Sequence, residues 1–152
     1  MSKLLLVAFI SLFCSMSIAQ KVKIKKDIAY LDKEPFLEFK TIAFGSDYAI
    51  KQINSESDEI SMLYRSYKDP SQSSTGNPDG HVRWVEVNFI PFDLKCEVDN
   101  RTRKQFIKLI YLSNIYVNGK INKENVEQFV NKYGSRFSEN RPSESTTIII
   151  NH

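Results

Sequence analysis

One change of rhythm constrains this chain more than any other feature. From Val22 to Val98 apolar side chains recur at every second position, and from Phe106 to Tyr133 they recur at every third or fourth. Period two belongs to a strand with one buried face, and period 3.6 to an amphipathic helix. A run of strands followed by a run of helices predicts an α+β domain, here an antiparallel, bent β-meander of five to seven strands packed against a C-terminal αα-hairpin. The 152 residues suffice for one such domain, because a chain of about this length buries roughly two-thirds of its unfolded surface without a metal or disulfide staple.

The meander is expected over residues 20–98. Val22, Ile24, Ile28 and Tyr30 alternate with Lys23, Lys25 and Asp27, and Asp32-Lys33-Glu34-Pro35 breaks the run. Leu37, Phe39, Thr41 and Ala43 then alternate with Glu38 and Lys40 as far as Gly45-Ser46, which predicts a hairpin. Shorter strand candidates cover 48–53 and 60–67, on either side of the polar turn 54–58. Residues 68–80 contain almost nothing apolar and read as a long loop, either mobile or functional. Beyond it Val82 and Trp84 share one parity while Val85, Val87 and Phe89 share the other, so a β-bulge between 84 and 85 is expected. A last short strand covers 92–98.

The αα-hairpin is expected over residues 102–134. Thr102 and Gln105 have capping-box spacing ahead of Phe106, Leu109, Ile110, Ser113 and Val117, with Asn118-Gly119 as the stop. The second helix has Asn122 as N-cap, Ile121 and Val126 as a hydrophobic staple, the stripe Val126, Phe129, Val130 and Tyr133, and Gly134 as terminator. Residues 138–152 read as a polar connector followed by a short strand, Thr146-Thr147-Ile148-Ile149-Ile150.

Residues 1–19 stand apart from this pattern. Lys3, an apolar run from Leu4 to Phe13 and small residues at Ser17 and Ala19 have the layout of a secretory signal peptide, with cleavage expected between Ala19 and Gln20. The run is near ten residues, short of the roughly 20 that span a bilayer, and no transmembrane segment is expected in the mature chain, 20–152. Leu12 and Phe13 occupy the places where a lipid anchor at Cys14 requires small residues, which favours a secreted or periplasmic protein without an anchor. Cys96 is then the one remaining thiol; its spacing with Leu94 and Val98 predicts a buried side chain. The formal charge is +3, from 21 Lys and Arg against 18 Asp and Glu, and falls by one when Lys3 leaves with the leader. That balance gives no support to nucleic-acid binding. Lys21, Lys23, Lys25 and Lys26 read as an exposed strand face.

The Ala19-Gln20 junction, the opening KVKIKKDIAYLDKEPFLEF and the closing NGKINKENVEQFVNKYG resemble uncharacterised small secreted or periplasmic proteins of Gram-negative Bacteroidota. The resemblance implies an address and a domain type; it carries no active-site motif.

Catalytic chemistry has little to draw on. A Ser–His–acid or Cys–His set needs a His, and only His81 and His152 exist, with Asp79 and Asp93 as acid partners for His81 if the fold brings them close. Thr75 to Glu86 matches the calcium-binding EF-hand loop in part, but Thr stands at its first position, Pro78 intrudes and no helices flank it, so a plain turn is expected. No carboxylate pair is selected among Glu34, Glu38, Asp47, Asp58, Glu59, Glu86 and Asp93, and no phosphate-binding glycine pattern occurs. Neither cofactor nor metal is expected. The aromatics beside the long loop, Trp84, Tyr64 and Tyr67, together with His81, are the candidates for contacting a ligand or partner. These features predict an exported, non-enzymatic module that binds a protein, an envelope component or a small ligand. Two alternatives are a small hydrolase using acidic residues or His81, and an assembly protein that donates its C-terminal strand.

Overall fold

The computed structural model describes residues 21–42 and 46–141. The expected leader at 1–19, the 43–45 end of the second predicted strand run and the expected terminal strand at 146–150 lie outside the described residues. Seven strands form one antiparallel sheet in chain order: β1 (Val22–Lys25), β2 (Ile28–Leu31), β3 (Glu34–Ile42), β4 (Asp47–Gln52), β5 (Ile60–Lys68), β6 (His81–Phe89) and β7 (Leu94–Asp99). Helix α1 (Arg103–Leu112), a two-stranded hairpin of β8 (Tyr116–Val117) and β9 (Lys120–Ile121), then α2 (Lys123–Tyr133) and the short α3 (Arg136–Glu139) complete the α+β fold. Gly134 and Ser135 join α2 to α3 as one bent helix. No helix among the described residues is long and apolar enough to cross a membrane.

Alternation decides what is buried. Leu37, Phe39, Ile50, Ile60, Met62, Val85, Val87, Phe89, Cys96 and Val98 share one face and merge with Phe106, Ile107, Ile110, Ile115, Val126 and Phe129 in a single core. Phe129 meets Phe89 edge-on at 5.6 Å between centroids. Burial, and secondarily the charge of Glu97, pushes the Cys96 thiol up to about 12, so it stays protonated and unreactive near neutrality. The opposite face is a polar ladder: Glu38 pairs with Lys51, Asn88 donates to Ser61, and Arg65 lies 3.4 Å from Asp47 and 3.6 Å from Glu86.

Three local expectations are corrected. The run from Val22 to Tyr30 is two strands, because Lys26 and Asp27 both take positive φ (48° and 64°) and turn the chain back on itself. No bulge separates Trp84 from Val85; β5 and β6 stay in register throughout. Trp84 is buried from the other face, where Tyr67 meets it edge-on and Phe137 stacks on it at 6.0 Å. The sheet's irregularity falls instead between β2 and β3, where Ala29 faces Leu37 and Tyr30 faces Pro35, leaving Phe36 as the extra residue. Helix α1 does have the Thr102–Gln105 capping box, but it ends at Leu112, and Asn118-Gly119 turns the β8–β9 hairpin instead of stopping a helix.

The segment 69–80 is tied down. Asn77 bridges to Ser74, its side chain bonds Gln72 and both backbone groups of His81, and Asp69 caps a short turn at Pro70–Gln72. Gly80 sits at φ +62, and a Cβ there would lie 2.1 Å from the Asp69 carbonyl oxygen, so only glycine closes this hairpin.

Candidate functional site

One end of the sheet is open. Here β3 and β5 begin and β4 and β6 end, and the β8–β9 hairpin lies over them, leaving a cleft of ≈ 720 Å³. Its walls include Phe36, Ile53, Phe92 and Ile121; Glu59 is the carboxylate and Lys120 the ammonium among its described lining residues. The bulge explains the first of these. Displaced from strict alternation, Phe36 reaches the helical side and packs edge-on against Tyr111 at 6.1 Å and Tyr116 at 5.8 Å, contacts worth about 0.5–1.5 kcal/mol each beyond area burial.

Glu59 is fixed at both backbone and side chain. Its N–H donates to the Ile50 carbonyl and its own carbonyl accepts from Ile90 N–H. Its Oε2 accepts from Gln52 N–H at 3.1 Å and from the Tyr116 hydroxyl at 2.8 Å. Burial, then the Glu59 charge and the hydrogen bond itself, raise the Tyr116 phenol above its ordinary value, so Tyr116 remains a donor at neutral pH. No Lys, Arg or His nitrogen lies within 4.0 Å of this carboxylate among the described residues. A cleft that sets one oriented carboxylate beside the apolar side chains of Phe36, Ile53, Phe92 and Ile121 suits a ligand that carries an amine or another hydrogen-bond donor on an apolar body.

The aromatic and histidine candidates lie elsewhere. Tyr67 and Trp84 do meet, but Phe137 covers the indole, which is 7% exposed. Tyr64 is on the opposite face, and its hydroxyl donates to the Arg101 carbonyl at 2.6 Å. His81 sits at the far end of β6 from the cleft, 3.9 Å from Asp79, whose side chain is 67% exposed. Asp93 follows the other end of that nine-residue strand, roughly 25 Å away along it, so His81, Asp79 and Asp93 do not form one set. Glu86 points along the polar face to Arg65, far from closing a calcium loop, and no group of three metal-ligating side chains occurs among the described residues.

Sequence reasoning passed over Phe36, Phe92 and Tyr116. The available signal was an aromatic directly after a proline, in Pro35-Phe36, where it also breaks the strand's apolar parity, and again in Pro91-Phe92. No protein-family model, curated protein or solved structure matches this chain.

Proposed function

We propose that the protein is an exported, non-enzymatic binding module, and that the open cleft takes a small apolar ligand bearing a protonated amine. Export rests on the leader-like residues 1–19. The observation that supports binding is Glu59: a carboxylate held by Gln52 and Tyr116, in a cleft that Phe36, Ile53, Phe92 and Ile121 also line, with no cation paired to it among the described residues. Such an anion is pre-oriented, so a ligand ammonium loses little in arranging it. The cleft volume falls within the usual range for small-ligand sites, about 300–1,000 Å³.

Amide-resolved NMR titration of residues 20–152 with phenethylamine and hexylamine, against phenylacetate and hexanoate, tests this reading. The amines are expected to shift resonances of Gln52, Phe92 and Lys120, and Glu59→Gln is expected to remove the shifts while leaving the spectrum folded. Equal shifts from the carboxylates, or amine binding unchanged in Glu59→Gln, would refute it.

A further inference from the structure

The two edges of the large sheet are finished differently. At β7 the chain itself covers the edge: Glu97 N–H donates to the Gly134 carbonyl at 2.8 Å, and the Glu97 carboxylate accepts from Phe137 and Ser138 N–H. At β1 no described strand pairs with the outer side. The tight Lys26-Asp27 turn sets which backbone groups are used there. With Lys25 opposite Ile28 and Lys23 opposite Tyr30, the odd-numbered residues bond inward, as Lys21 does when its carbonyl accepts from Asp32 N–H. The N–H and C=O groups of Val22 and Ile24 therefore point outward, away from β2.

Charge on this edge is one-sided. Lys21, Lys23, Lys25 and Lys33 surround Tyr30 in a shallow groove of ≈ 490 Å³, with Asp32 the one acid lining it. Asp32 already accepts from Lys21 N–H through Oδ1. None of these four lysines has a carboxylate within 4.0 Å among the described residues, whereas Lys51 on the same polar face pairs with Glu38. Lysines on an edge strand hinder pairing with a second copy, because the copy would bring its own lysines against them. They place no such barrier before an acidic strand.

We propose that the outer edge of β1 accepts an extended acidic peptide as an eighth strand. Its backbone would bond Val22 and Ile24, its acidic residues would lie beside Lys23 and Lys25 on the polar face, and its alternate apolar residues would continue the buried face.

The probe is a fluorescein-labelled peptide alternating Glu and Val over eight residues, titrated into the full mature chain. A peptide with proline at two central positions, and inorganic polyphosphate as competitor, separate strand addition from plain charge attraction. Saturable anisotropy is expected, weakened by added salt, lost with the proline peptide, and reduced about tenfold or more by Lys23→Glu with Lys25→Glu. Hydrogen exchange on the unmodified protein reads the backbone directly and needs no variant: Val22 and Ile24 N–H should gain protection on peptide binding. Unprotected amides there, undiminished binding of the proline peptide, or complete displacement by polyphosphate without change in exchange would each overturn the proposal.

Discussion

The tethered hairpin end around Trp84 and the open end around Phe36 are built from the same materials and finished in opposite ways. Each gathers aromatic side chains near strand termini beside one well-held carboxylate. At the first, α3 folds over β7, Glu97 binds its leading N–H groups, and Phe137 closes on Trp84. At the second, the β8–β9 hairpin supports the cluster from one side, and the cleft in front of Glu59 stays open. What separates a sealed cluster from an open cleft is thus the element packed over it, not the residues themselves.

The largest effect should fall at the closed end. Trp84→Ala is expected to cost about 3–5 kcal/mol in urea unfolding, with coupling to Phe137→Ala of about 0.5–1.5 kcal/mol in a double-mutant cycle. A cost below 1 kcal/mol would mean that Phe137 does not seal this end. Tyr116→Phe at the open end removes one hydrogen bond to Glu59 and should cost about 1 kcal/mol by the same measurement. The smallest change is expected at Ile90, 50% exposed just beyond the cleft: Ile90→Ser should stay within about 0.5 kcal/mol. A larger loss there would show that the open end is as structurally committed as the closed one.

The division of the chain was legible because both periods are regular: six short runs of period two, then helix caps at Thr102 and Asn122 where spacing placed them. The errors have local causes. Turn residues inside a period-two run, Lys26-Asp27, leave the alternation intact and so hide the reversal. The parity switch at Trp84 imitates a bulge, since nothing in the local sequence announces that Phe137, some fifty residues on, buries the second face. The real bulge, at Phe36, aims a side chain at partners some 75 to 80 residues downstream, Tyr111 on α1 and Tyr116 on β8. Local sequence carries no trace of that partnership, and the candidate site, which depends on it, was accordingly missed.

The strictly sequential strand order has a consequence for how the molecule is made. Every pairing in the large sheet joins neighbours in the chain, so the strands can zip together one hairpin after another with small loop-closure cost. The apolar face they create, however, waits for residues 103–133 before it is covered. A chain emerging N-terminus first would therefore carry a formed but unlidded sheet until residues 103–133 arrive, the interval in which it is most exposed to aggregation.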